Sequence, residues 1–120
     1  MNYDPNCIFC KIVKGDIPSN KLHEDEDVLA FHDVRPQAPV HFLIIPKAHV
    51  ATLYDGGMEH SRAYGKILAL TGELARKAGA TDGFRSIINT GRVGHQEVYH
   101  VHMHVLGGPE PLGPMLLRRK

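Results

Sequence analysis

From Tyr99 to Val105 apolar residues and histidines alternate without a break, within the run Val98-Tyr99-His100-Val101-His102-Met103-His104-Val105-Leu106. Alternation with a period of two is the signature of a strand. It predicts a strand over 98–106 with Tyr99, Val101, Met103 and Val105 turned into a core and His100, His102 and His104 on the other face. A polar strand facing solvent explains this poorly, because packing gains nothing from three imidazoles in register. Positions two apart on a strand are separated by about 6.6 Å and positions four apart by about 13 Å, so all three rings cannot meet on one metal ion. The three histidines therefore divide their work, which favours a reaction centre over a three-histidine metal cage. Imidazole serves as nucleophile, acid, base or ligand near neutral pH.

The rest of the chain supplies the frame. Cys7–Lys14 reads as a short helix with Ile8, Phe9 and Ile12 on its apolar side, stopped by Gly15. Residues 21–24, 28–32, 41–45 and 84–89 read as further strands, with Arg35-Pro36-Gln37-Ala38-Pro39 as a turn. A helix is expected over 58–78, where Tyr64, Ile67, Leu68, Thr71, Leu74, Ala75 and Ala78 recur at three- and four-residue spacing before Gly79. The acidic run Glu24–Asp27 reads as a solvated turn. From about residue 107 the Gly- and Pro-rich tail should be irregular. Strands, one long helix and more strands predict an α+β fold on an antiparallel sheet of about five strands. With 120 residues, 42% hydrophobic and 22% charged, one domain over 1–120 is expected rather than a disordered chain. A formal charge of +1 argues against nucleic acid as a partner while permitting a local anion pocket. No apolar stretch is long enough to span a bilayer, so a membrane partner is not expected. Met1–Cys7 has neither a basic start nor an apolar core, which makes the cytoplasm the expected location.

A histidine nucleophile needs a neutral ring, one nitrogen carrying a lone pair and the other donating to a fixed acceptor such as a backbone carbonyl. His102, central in the row, suits this best. Phosphorus suits imidazole as an electrophile, because the phospho-histidine adduct hydrolyses readily. Asn89 and the loop Gly91–Glu97, which includes His95 and Gln96, precede the row and can offer donors to phosphate oxygens.

These motifs together resemble one family. His100-Val-His102-Met-His104-Val-Leu matches the histidine-triad pattern. Phe31-His32-Asp33-Val34-Arg35-Pro36-Gln37-Ala38-Pro39-Val40-His41 and its continuation to Lys47 resemble that family's upstream signature. The similarity runs from Cys7 onward and is greatest to the nucleotide-binding (HINT) branch, whose bacterial members the segment Pro111-Leu-Gly-Pro-Met resembles. The resemblance implies a HIT-like fold whose sheet continues across a homodimer, and hydrolysis of purine nucleoside 5′-phosphoramidates to a nucleoside monophosphate and an amine. It makes His102 the nucleophile, with His104, His100 and His41 in the catalytic group. It places the purine between Phe9, Ile12, Phe31 and Val34, with His32 beside them, and gives Asp33 to the ribose hydroxyls. Asn89, His95, Gln96, Glu97, His102 and His104 would surround the phosphate. Plain core packing is the other reading of the four apolar residues, and a satisfied histidine at a strand start is the other reading of His41.

Two positions depart from the pattern. Many members carry glycine at His95, where a side chain can crowd the phosphate or add a donor. The animal branch has serine at Glu97, whose ionised carboxylate cannot donate, so its backbone N–H, a proton-supplying role or a contact to the leaving amine come into view. Dinucleoside polyphosphate hydrolysis, and a nucleotide-binding or interaction module with weak catalysis, are the rival expectations. A zinc-dependent structural module is a third.

Cys7-Ile-Phe-Cys10 has a spacing that suits zinc but supplies only two of four ligands. By the same resemblance, His49 and His100 would complete a structural Cys-Cys-His-His set, with no metal needed for the chemistry. Two reduced thiols packing as small hydrophobes, or a thiol-exchange pair, are the alternatives.

Overall fold

Strand β3 (Val40–Pro46) is buried along its whole length, as a strand covered on both faces must be. It stands in the middle of a five-stranded antiparallel sheet, in a computed structural model that describes residues 3–116. The other elements are helix α1 (Ile8–Lys14), strands β1 (Lys21–Glu24) and β2 (Val28–His32), a 3-10 turn Met58–His60, helix α2 (Ser61–Ala78), and strands β4 (Arg85–Ile87) and β5 (Met103–Gly107). The sheet order is β1-β2-β3-β5-β4. The α+β architecture expected from the pattern is the one observed.

Alternation along β3 splits the interior in two. Val40, Phe42 and Ile44 face α2 and pack with Ile67, Leu74 and Ala75. Leu43 and Ile45 face the other way and pack with Leu29, Phe31 and the α1 residues Phe9, Cys10 and Ile12. Both helices end on a glycine in the left-handed region, Gly15 at φ 94° and Gly79 at φ 109°, whose amides return to carbonyls of the last turn. Of the apolar positions expected inside, Leu68 is 67% exposed and Ile8 is 48% exposed. The buried stripe of α2 is narrower than its spacing implied, and α1 buries Cys10 in place of Ile8.

Three expectations need correction. The strand predicted over 98–106 is regular only from Met103, because the amide of Val101 bonds the carbonyl of Val50 (2.7 Å) instead of a sheet neighbour. Tyr99 accordingly lies 47% exposed rather than in the core, while Val101, Met103 and Val105 are buried as expected. The strand over 84–89 shortens to Arg85–Ile87. The tail has no helix or strand from 108 to 116, and its last four residues lie outside the described ones.

The acidic run is a turn, but it is more than solvated surface. Asp27 takes Lys66 at 2.5 Å and Arg62 at 2.9 Å, and Asp25 takes His23 at 2.8 Å and Lys66 at 3.3 Å, latching α2 to the β1–β2 turn. Burial would raise the Asp25 pKa, but bonds from His23, the amides of Asp27 and Val28, and Lys66 outweigh it and hold the carboxyl well below its ordinary range. A carboxyl depressed in the folded state contributes stability above its unfolded pKa and loses it as pH falls below that value. The melting temperature should therefore drop steadily below about pH 4, and Asp25→Asn, less stable at pH 7, should flatten that drop. A pH series of thermal melts on both proteins checks this; an unchanged slope would mean the latch contributes nothing.

Candidate active site

The face of the sheet opposite α2 carries a cleft of about 910 Å³. Its position follows from register: Phe31 pairs with Leu43, Leu43 with His104, and His104 with Ile87, so these side chains share one face across four strands. His41 pairs with Leu106, one diagonal step from His104. Phe9 and Ile12 of α1 close the apolar end, and Phe9 meets Phe31 edge-to-face at 5.7 Å. His32 at the end of β2 and Asp33 and Val34 just beyond it line the cleft, while Asn89, His95 and Glu97 line it from the segment before the histidine row. Val34 is 90% exposed, so it has no core role, whereas Phe9, Ile12 and Phe31 each pack in the core and show one edge to the cleft.

Hydrogen bonds assign every ring proton in the row. His102 Nδ1–H donates to the His100 carbonyl at 2.7 Å, which leaves the lone pair on Nε2 of a ring that lines the cleft. The Gln37 amide donates to His41 Nδ1 at 3.0 Å, so His41 carries its proton on Nε2 and donates it to His104 Nδ1 at 2.9 Å. His104 is then an acceptor at Nδ1 and a donor at Nε2. The row thus presents one lone pair and one N–H side by side, with the His102 and His104 ring centres 5.0 Å apart. Burial is the main reason all three stay neutral: it lowers His102 against the pull of its carbonyl partner, and lowers His41 against the nearby Asp33. His104 falls to about 4 through burial and the neighbouring His102 and His41.

Two of the predicted residues do other work. Gln96 does not line the cleft; its side chain accepts from the Gly91 amide (2.9 Å) and donates to the carbonyls of Ala51 (2.7 Å) and Val98 (2.9 Å), bracing the loop. That bracing is tight, since a Cβ on Gly94 would stand 2.5 Å from the Thr90 carbonyl oxygen. His100 is likewise absent from the cleft wall and reaches it only through the carbonyl that holds His102. The sequence reading missed Arg35 and Gln37, which both line the cleft. Their turn was legible from its prolines, but nothing in composition tells that the Gln37 amide faces His41.

The His100 ring turns instead toward the cysteines. Cys7, Cys10, His49 and His100 place their donor atoms within 4.8 Å of one another. His49 Nδ1 and His100 Nδ1 are 3.3 Å apart, and the thiol sulfurs stand 3.4 to 3.6 Å from the histidine nitrogens. A tetrahedral ion with ordinary zinc bond lengths spans edges of about 3.3 Å between nitrogens and about 3.6 Å between nitrogen and sulfur. His100 Nε2 donates to the Pro46 carbonyl at 2.8 Å, which aims the Nδ1 lone pair into the cluster, and Asp4 stands 3.8 Å behind His49. The four residues therefore fit a metal ion. Asp33, His41 and His104 also converge, but the atom His41 presents to them carries its proton and cannot ligate.

This arrangement has counterparts among known proteins. The family model for the HIT domain matches residues 14–110. The chain belongs to the HIT domain family. A HIT relative from Escherichia coli (strain K12), named purine nucleoside phosphoramidase, is 49% identical over 113 residues, covering 93% of this chain and 94% of that protein. Among solved HIT structures, a hydrolase from Legionella pneumophila is 47% identical with a TM-score of 0.82, covering 88% of this chain and 95% of its own. One from Clostridium thermocellum is 40% identical with a TM-score of 0.88, covering 95% and 99%. The fold is therefore the HIT fold.

A histidine whose folded pKa lies below its unfolded value favours the neutral form, so stability falls as pH drops through the gap between them. For His104 that gap runs from about 6.5 down to about 4. Nitrogen-detected NMR should find His104 neutral, with its proton on Nε2, down to pH 5. A ring that charges near pH 6.5 would contradict the proton assignment.

Proposed function

We propose that this chain hydrolyses purine nucleoside 5′-phosphoramidates in two steps through a nucleotidyl-histidine. The observation that carries the reading is the His102 ring, neutral, held at Nδ1 by a carbonyl, with its Nε2 lone pair at the wall of a nucleotide-sized cleft. The name of the Escherichia coli relative, at 49% identity, points to the same substrate class.

In this reading the purine enters between Phe9, Ile12, Phe31 and Val34, with His32 at the edge, and covers the exposed Val34. Asp33 accepts from the ribose hydroxyls; one of its oxygens is already oriented by the Arg35 amide at 2.8 Å. Asn89 and the backbone at Glu97 donate to phosphate oxygens, joined by His104 Nε2–H. His102 Nε2 attacks the α-phosphorus, and the P–N bond breaks with its electron pair on the departing nitrogen. His102 becomes a cationic adduct whose Nδ1–H stays on the His100 carbonyl. Water then attacks phosphorus and returns the electron pair to Nε2, releasing the nucleoside monophosphate. His41 acts through His104 as a positioning residue.

Turnover of an adenosine 5′-phosphoramidate tests this. Native protein should release AMP, and His102→Ala should lower the rate by at least about 10³-fold while still binding AMP. Tight AMP binding without turnover by the native protein would favour the binding-module reading instead.

The same proposal extends to the frame. Cys7, Cys10, His49 and His100 hold one structural zinc ion, with no metal in the chemistry. The chain acts as one domain over 1–120, as a cytoplasmic homodimer whose sheet continues across the interface; no helix among the described residues is long and apolar enough to cross a membrane. Metal analysis should find one zinc per chain. Cys10→Ser should lose it and melt at least about 5 °C lower, with a smaller effect on turnover than His102→Ala. Metal loss without destabilisation would refute the structural role.

A further inference from the structure

An amine leaves phosphorus readily only with a proton, and the buried histidines have none to spare. The Nδ1 proton of His102 is committed to the His100 carbonyl. His104 and His41 carry one ring proton each, and behind them stands the Gln37 backbone amide, which does not ionise. Sending a proton outward from His104 would leave an imidazolate in the row. Burial also opposes any extra proton there, since His104 is held at about 4. The row orients a lone pair and a donor, but the acid must stand elsewhere on the wall.

The other ionisable side chains of the cleft are His32, Asp33, Arg35, His95 and Glu97. Asp33 is taken by the Arg35 amide and lies 3.4 Å from His41. A guanidinium does not release its proton. His32 ends β2 with its ring 6.5 Å from that of Phe42, whose side chain packs on the α2 face of the sheet. His95 and Glu97 remain, and they come from the loop before the histidine row.

His95 is the one non-glycine residue with positive φ among the described residues, at 61°. Such backbone carries strain that glycine would relieve. Its side chain is 86% exposed, so packing does not offset the strain, and its Nε2 stands 3.5 Å from Glu97 Oε1. His95 and Glu97 line the same cleft as His102 and His104, which puts the pair on the wall the reacting group must face. The left-handed backbone closes the turn, with the Gln96 amide on the Gly91 carbonyl (3.0 Å) and the His95 amide on the Arg92 carbonyl (3.1 Å). Glycine would close it with less strain, so the turn does not account for the imidazole, and its place on the cleft wall points to a chemical use.

We propose that His95, steadied by Glu97, is the general acid for the departing amine and then the general base for the attacking water. The inference rests on the phosphoramidate hydrolase reading above. In the first step His102 Nε2 bonds phosphorus, the P–N bond to the leaving group breaks, and the departing nitrogen takes the proton of the His95 imidazolium. In the second step water bonds phosphorus, its proton passes to the now neutral His95, and the bond to His102 breaks. The imidazolium is regenerated, so the cycle closes without another reagent.

The test uses the whole chain and two substrates read as kcat/KM, which reports the first step for both. One is the adenosine 5′-phosphoramidate of a simple alkylamine; the other is the 4-nitrophenyl ester of AMP, whose phenolate leaves without a proton. His95→Gly should lower the alkylamine value by about 10²-fold more than the nitrophenyl value, and melt no lower than the native protein. Added imidazole should restore part of the alkylamine loss. Equal loss on both substrates, or none on the amine, would overturn the assignment. If native protein turns over neither substrate, the hydrolase reading falls and this inference with it; turnover of both without a leaving-group-dependent effect overturns His95 alone.

Discussion

Hydrogen bonds to the carbonyls of Val50 and Ala51 decide what the histidine row becomes. The Val101 amide and the Gln96 side chain take these two acceptors, so the chain joins the sheet only at Met103. Were the ladder continued back to Val98, the three imidazoles would stand in file on one face, each about 6.6 Å from the next. With the strand cut short, His100 turns to the cysteines, His102 stays at the cleft and His104 meets His41. The carbonyl that orients His102 belongs to His100, so the same departure from the sheet also fixes the lone pair on Nε2.

Burial and backbone hydrogen bonds then act together on the protons. Burial lowers the affinity of these rings for a second proton, and fixed backbone partners choose which nitrogen keeps the first. Neither effect alone suffices: a neutral ring without a fixed partner would sample both tautomers, and an exposed ring with one would charge near neutral pH. The Gln37 amide reaches His104 only by way of His41, which is why a residue in the β2–β3 turn has a stake in the donor beside the nucleophile.

The same rule separates the two clusters of candidate ligands. Pro46 takes the Nε2 proton of His100, so the nitrogen facing the cysteines is free to bind. Gln37 claims Nδ1 of His41, so the nitrogen facing Asp33 and His104 is not. Proximity of His, Cys and Asp is equal evidence for both; the position of one proton distinguishes a metal cage from a relay.

Much of this was legible in residue order. Period-two alternation marked Met103 and Val105 as core, the turn around Pro36 and Pro39 marked the break between β2 and β3, and three- and four-residue spacing marked α2. The HIT motifs named many of the residues that line the cleft, but also Gln96 and His100, which do not line it, and not Arg35 or Gln37, which do. Less legible were features made by backbone groups, which every sequence contains and none advertises. Tyr99 was misplaced because alternation is blind to the Val50 carbonyl that ends the strand. Gln96 was assigned to phosphate together with its loop, whereas its side-chain donor is taken by the carbonyls of Ala51 and Val98. The strain at His95 cannot be read from its identity, since φ is set by the loop around it. The sequence by itself determined which residue types were available and, within the regular elements such as Met103–Val105, which face each would take. Tertiary structure alone decided which carbonyl or amide each imidazole met, because those partners lie up to 54 residues away along the chain and are aimed at the rings only by folding.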